Sequence, residues 1–294
     1  MPRTRWIQAP AIVRRHEDEG AAHRWLELEA PGSFATPLPG QFIQILLASP
    51  SAVLLPRPMS VASARRRGGR CVMGFLYAPV GPGTRLLAAC EPGSSVEVLG
   101  PLGRGFPLDQ PGIPVLIACW RGVAPLIFAA RSLAHPSARR RGRRAEFLFG
   151  ARDRAHLVGL EKARREIAAV QGRLQLATDD GSRGIRGNVI DLLERLAPRL
   201  AGTPVLHACG PHAMLKAVAG WALSRGVRAH LAMESVMACG TGVCRGCPLP
   251  RSRAKSEAFD SASTPSLWGN REYAMCCTEG PVFEARDLDW ERVE

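Results

Sequence analysis

The residues best suited to chemistry lie between Met237 and Pro250, in MACGTGVCRGCPLP, where Cys239, Cys244 and Cys247 fall at C-x4-C-x2-C spacing with glycines between them. A loop that wraps an inorganic cluster must turn tightly and aim amide N–H groups at sulfur, and glycine reaches positive φ without a Cβ penalty. Three closely spaced thiolates plus one distant one is the ligand spacing of plant-type [2Fe–2S] sites, unlike the two C-x2-C pairs of a zinc ribbon. Two cysteines of AMCCTEGPVF, Cys276 and Cys277, are candidates for the fourth ligand. The reading is a [2Fe–2S] site, with a structural zinc knuckle and plain buried thiols as alternatives. Cys71, Cys90 and Cys119 stand apart and read as packing residues.

A second group of residues suits a dinucleotide. In RPMSVAS, Arg57 offers charge and bidentate hydrogen bonds to a diphosphate, and Ser60 can meet a flavin or phosphate oxygen. Two glycine clusters follow, Gly81, Gly83 and Thr84 in GPGT, then Gly100, Gly103 and Gly105 in GPLGRGF. A glycine turn that opens a short helical stretch lets backbone amides gather a diphosphate, whereas taken singly each cluster is an ordinary β-turn.

Positioning these groups takes two kinds of architecture. From Arg5 to about Leu108 short alternating runs broken by Gly and Pro (WIQAPAIV, HRWLELEA, GQFIQILLA, RCVMGFLYAP, SSVEVLG) predict five or six strands of a small antiparallel barrel. After Gln110 the pattern changes. Apolar strands PVLIACW, AEFLFGAR, LQLATDD and PVLHACGP alternate with helical stretches GVAPLIFAARSLA, DRAHLVGLEKARREIAAV, GNVIDLLERLAPRL and HAMLKAVAGWALSRG. Such alternation predicts a parallel sheet covered on both faces, with any ligand at the carboxyl ends of its strands. The expected class is multidomain α+β: a β-barrel over 1–109, an α/β domain over 110–229 and a small cysteine module over 230–294.

Bulk properties narrow the field further. A chain of 294 residues with 46% hydrophobic content has room for two domains and an appendage. Its 9 cysteines are clustered, which suits a reducing cytoplasm and a metal site better than a secreted disulfide scaffold. MPRTRWIQAP lacks the apolar core of a signal peptide, and no apolar run reaches the roughly eighteen residues of a membrane span, so a cytoplasmic location is expected. The net charge of +13 rests almost entirely on arginine, since Lys162, Lys216 and Lys255 are the only lysines. One dense run, Arg139 to Arg144, reads as a solvated loop; no aromatic residue interleaves it, which argues against single-stranded nucleic acid.

In this order, RPMS, GPGT, GPLGRGF, GVAP (Gly122 to Pro125), TDDGS (Thr178 to Ser182), CGP (Cys209 to Pro211) with Met214, and the cysteine cluster make a family likeness from about Trp6 to Phe283. The chain resembles the electron-transfer subunits of NAD-dependent dihydroorotate dehydrogenase, within the ferredoxin–NADP reductase superfamily. That resemblance implies a flavin-binding barrel, a nucleotide-binding α/β domain and a [2Fe–2S] module. It implies FAD held by Arg57, Pro58, Met59 and Ser60, by Leu76, Tyr77 and Ala78, and by Gly83 and Thr84. It implies NAD met by Gly122, Cys209, Gly210 and Pro211, with Cys209 lining the nicotinamide site; otherwise Cys209 is a buried thiol at a strand end. Because the last cysteine of the family precedes x-x-Gly-Pro-Val-Phe, it selects Cys277 over Cys276 as the fourth ligand beside Cys239, Cys244 and Cys247.

The implied activity is conduction. A catalytic dehydrogenase subunit, FMN-containing and dihydroorotate-oxidising, passes single electrons to the cluster, and FAD collects two for delivery as hydride to NAD+ in pyrimidine biosynthesis. No general acid or base is demanded of this chain. Two departures from the family stand out. Ala118, Cys119, Trp120 and Arg121 replace the usual glycines before Gly122, putting bulk where a diphosphate needs close backbone approach unless Trp120 packs elsewhere or Arg121 pairs with a phosphate, and a polar insert runs from Arg251 to Asn270. Two rival functions follow: a flavin and iron–sulfur NAD(P)H reductase subunit serving another oxidoreductase, told apart by its partner, and a module that no longer uses nicotinamide, told apart by NADH titration.

Overall fold

The computed structural model of the chain describes residues 6–47, 53–134, 144–253 and 272–293. Residues 139–143 of the basic run and most of the polar insert, 254–270, lie outside the described residues.

Seven strands form the first sheet: β1 (Ile7–Gly20), β2 (His23–Ala30), β3 (Phe42–Leu46), β4 (Arg57–Ser60), β5 (Ser63–Arg67), β6 (Arg70–Tyr77) and β7 (Ser95–Leu102). Their order is β4-β3-β7-β1-β2-β6-β5, with antiparallel pairing throughout. Sequence alternation predicts one or two fewer, because β4 is a four-residue strand carrying a proline and β5 reads SARRR. Pro58 is tolerated because β4 is an edge strand, where a missing N–H breaks no ladder on its outer side. Leu26, Leu28, Phe34, Ile43, Ile45 and Phe75 are fully buried between these strands. A short helix, α1 (Pro82–Ala88), follows β6.

The second sheet takes β8 (Ile113–Cys119), β9 (Glu146–Ala151), β10 (Arg173–Thr178), β11 (Ile185–Arg186), β12 (Pro204–Cys209) and β13 (Arg228–Ala232), all parallel. Its helices are α2 (Val123–Leu133), α3 (Leu160–Ala168), α4 (Val189–Leu196) and α5 (His212–Ser224). Asn188 caps α4 by accepting the N–H of Ile190 at 2.8 Å, while Asp191 accepts the N–H of Asn188 at 2.7 Å. The periodicity of DRAHLVGLEKARREIAAV predicts a longer helix than α3. Asp153 instead captures the N–H of His156 in an isolated turn, and Gly159 at φ +71° redirects the chain before Leu160.

After β13 come β14 (Pro248–Pro250) and β15 (Tyr273–Met275), a separate two-stranded ladder, and β16 (Val282–Glu284), which joins the second sheet antiparallel to β13. β13 straddles position 230, so the parallel sheet runs on into the expected cysteine module.

The two large sheets share a core. Trp25 and Leu76 of the first pack in one cluster with Ala124 and Ile127 of α2 and with Phe106. His207 of β12 stacks on His230 of β13, ring centroids 5.5 Å apart, and meets the edge of Phe106 at 5.6 Å. Burial pushes the His207 imidazole down to about 3, so it packs here as a neutral ring. Among the described residues no helix is long and apolar enough to cross a membrane.

Candidate functional site

Where the first sheet meets the second there is a cavity of about 260 Å³. Pro58, Met59 and Ser60 of β4, Leu76 and Tyr77 of β6, and Ala78 and Thr84 beyond it form one wall. Arg121, Ala124 and the segment Met233–Ser235 form the other, with Phe42, Val80, Met237 and Pro281 completing the lining. Seven of the nine residues assigned to flavin by resemblance therefore converge on one space. The remaining two sit together beside it, for a Cβ on Gly83 would lie 3.0 Å from Cδ and Nη1 of Arg57. Arg57 donates from Nη2 to the Leu55 carbonyl at 2.5 Å, but its buried Nε has no acceptor among the described residues. Buried donors are ordinarily satisfied, so an anionic ligand edge suits this guanidinium. A slot with apolar walls and an unmatched arginine can take a planar ring with an anionic tail.

The other glycine cluster does different work. Gly103, at φ +73°, has its missing Cβ position 2.5 Å from Pro281 Cδ, and Arg104 donates its N–H to Gly280 O at 2.6 Å. GPLGRGF thus docks the C-terminal segment, which corrects the expectation that its amides gather a diphosphate.

The residues assigned to NAD meet at the carboxyl edge of the second sheet. Sheet order β11-β10-β9-β8-β12-β13-β16 reverses direction between β8 and β12, the switch point where open α/β sheets bind ligands. Gly122 lies just beyond β8, and Cys209 ends β12. A Cβ on Gly122 would fall 2.1 Å from Cys209 O and 2.6 Å from Gly210 N, so this glycine is required by backbone packing within the protein. Cys209 is buried, and burial pushes its thiol well above the ordinary range. None of Gly122, Cys209, Gly210 or Pro211 lines the cavity described above. Trp120, at φ +53°, turns its ring out of the strand line, edge-on to His23 at 6.0 Å.

The cysteine loop rests against the same region, since Met237 lines the cavity two residues before Cys239. Gly240 and Gly242 take φ of +73° and +87°, as the sequence demands of a tight loop. The N–H groups of Thr241 and Cys244 both donate to Cys239 Sγ at 3.4 Å, and Gly246 N–H donates to Cys244 Sγ at 3.4 Å. Although burial pushes the Cys239 thiol up, the amides of Cys244 and Thr241 bring it down to about 6, the thiolate form a metal ligand needs. Cys277 sends its N–H to Cys247 Sγ at 3.4 Å, whereas the Cys276 thiol faces the Met233 carbonyl at 3.6 Å. Donation by the Cys277 thiol holds Cys247 down at about 7; burial pushes Cys276 up to about 12. Among the described residues no three or more His, Cys, Asp or Glu side chains are drawn together into a metal-holding group. What fits a sulfur cluster is the donor set itself: amides directed at three thiols, and beside them Gln44, fully buried against Gly240 with neither amide atom partnered.

Sequence reasoning misses Gln44, Glu234 and Ser235. Glu234 and Ser235 belong to no motif, and they reach the cavity only because β13 ends beside it. Gln44 is legible as a polar residue inside the apolar run FIQIL, which buries four of its five side chains.

No family model matches the chain. Among proteins of established name, it is 35% identical over 274 residues to the dihydroorotate dehydrogenase B (NAD+) electron transfer subunit of Geobacillus thermodenitrificans, covering 91% of this chain and 93% of that one. The subunit of the same name from Desulforamulus reducens is 31% identical over 268 residues, covering 91% and 92%. A solved NADH-dependent reduced ferredoxin-NADP oxidoreductase superposes with a TM-score of 0.77 over 96% of this chain and 91% of that one, at 22% identity. The FAD/NAD-binding domain of a Vibrio cholerae nitric oxide dioxygenase superposes at 0.64 over 74% and 94%, at 21% identity. At 31–35% identity over 91% of its length to these relatives, the chain belongs to the family of dihydroorotate dehydrogenase B (NAD+) electron transfer subunits.

Proposed function

We propose that this chain is the electron-transfer subunit of a two-subunit dihydroorotate dehydrogenase, taking electrons from a catalytic partner and delivering them to NAD+. When bound, a [2Fe–2S] cluster supplies one-electron transfer and FAD supplies the exchange between single electrons and the pair that nicotinamide accepts. The first sheet, as a flavin barrel over 1–109, holds FAD with Pro58, Met59, Ser60, Leu76, Tyr77, Ala78 and Thr84 around the cavity and Arg57 beside Gly83 at its charged end. Residues 110–229 meet NAD at the switch point, through Gly122, Cys209, Gly210 and Pro211. The module over 230–294 binds the cluster through Cys239, Cys244, Cys247 and Cys277. The amides of Thr241, Cys244, Gly246 and Cys277 stabilise negative charge on its sulfurs.

One observation carries this reading: the flavin motif and the approach to the cysteine loop share a single cavity, with Ser60 and Met237 both on its lining. Cofactors held side by side here would need no intervening chemistry from the protein, whose residues would hold them and exclude water. The test is reconstitution with a catalytic subunit that oxidises dihydroorotate. Dihydroorotate-dependent NAD+ reduction appearing only when both chains are present supports the proposal. A stable complex with a different oxidoreductase, and none with a dihydroorotate-oxidising subunit, overturns the substrate and partner.

A further inference from the structure

The cavity holds a cation that none of the flavin motifs supplies. Arg121, two residues beyond the end of β8, lines it together with Pro58, Met59 and Ser60. Its guanidinium is fixed from outside: the carbon Cζ stacks 4.2 Å over the ring of Trp120, which is itself edge-on to His23. Burial holds the His23 imidazole below its ordinary range. Among the described residues Arg121 Nη1 is buried without an acceptor and Arg121 forms no ion pair, even with Glu234 of the same cavity. Nη1 itself is covered by protein, so it is the rest of the guanidinium, unpaired by any described carboxylate, that a ligand in the cavity meets.

Two arginines without a carboxylate partner among the described residues thus sit at or beside one slot, in different surroundings. Arg57 packs on Gly83 beside α1, at the end proposed for the diphosphate. Arg121 instead lines the cavity itself, together with the apolar side chains of Met59, Leu76 and Ala124, a lining that suits a flat ring. We infer that Arg121 is a hydrogen-bond donor to the isoalloxazine of the bound flavin and favours its reduced form. Reduced isoalloxazine is anionic near neutral pH, whereas the oxidised ring is neutral, so a fixed cation nearby stabilises the reduced state selectively. This rests on the proposal that the cavity takes FAD, and it gives a function to the altered glycine run: Trp120 positions the arginine, and Arg121 reaches the ring.

Spectroelectrochemical titration of the holoprotein, with FAD affinity measured in parallel, tests it. Arg121→Gln keeps FAD but binds the reduced form about tenfold more weakly relative to the oxidised form, equal to a fall of about 30 mV in the two-electron midpoint potential. Arg121→Lys, which keeps the charge, recovers most of that shift. An unchanged potential in Arg121→Gln overturns the inference. So does an equal loss of affinity for both redox forms, which would move Arg121 to the diphosphate. A wild-type protein that takes up no FAD is a different failure, one that sinks the functional reading before any variant is made.

Discussion

Replacing Cys244 with serine is expected to strip the protein of cluster iron and of its iron–sulfur absorption, while Cys276→Ser keeps both. Partners that merely hydrogen-bond to metal ligands are worth about 10–100-fold in metal affinity, and a directly bonded thiolate exceeds that. Cys244 is the exposed member of the set and receives the Gly246 N–H at its sulfur. Cys276 is fully buried, with its thiol toward the Met233 carbonyl, so a serine hydroxyl there finds the same acceptor. Iron analysis and EPR of the two variants separate the adjacent cysteines without reference to any relative. Iron lost from Cys276→Ser and retained in a Cys277→Ser control would exchange their roles.

Gly122→Ala is expected to destabilise the protein by about 3 kcal/mol, at the upper end of overpacking effects, seen as a fall in Tm of about 5 °C. The reason is contact and not backbone freedom. Gly122 has an ordinary helical φ of −59°, but the new methyl would lie 2.1 Å from the Cys209 carbonyl oxygen. Backbone cannot rotate away as a side chain can, so β8 and β12 must separate at the point where their carboxyl ends form the switch point. Gly220→Ala is the control. Its added Cβ meets nothing within 4 Å on α5, and it gains up to about 1 kcal/mol from helix propensity. Thermal denaturation of both variants checks the pair, and a Gly122→Ala protein as stable as wild type would show that the two strand ends can part cheaply.

Much of this was legible in the residues, for physical reasons that differ by element. The parallel strands are continuous apolar runs because both faces are covered, and their helices carry caps such as Asn188 that sequence alone displays. The cysteine loop announces itself because few other structures need three thiols between glycines. β4 and β5 are less visible, since short edge strands carry too few buried residues to impose a period. GPLGRGF misleads because a glycine that makes room for a ligand and one that makes room for Pro281 look alike in one dimension. Arg121 was visible only as a departure from a family pattern. That its side chain reaches the cavity depends on the left-handed turn at Trp120, which a β-strand sequence does not advertise for a bulky residue.

The most direct test of the account is anaerobic addition of NADH to the purified chain, followed in one sample by visible and EPR spectroscopy. The account predicts that the flavin band bleaches and that the signal of a reduced [2Fe–2S] cluster rises with it, because one cavity adjoins both sites. A colourless protein carrying zinc, or a flavin that stays oxidised under excess NADH, would contradict it.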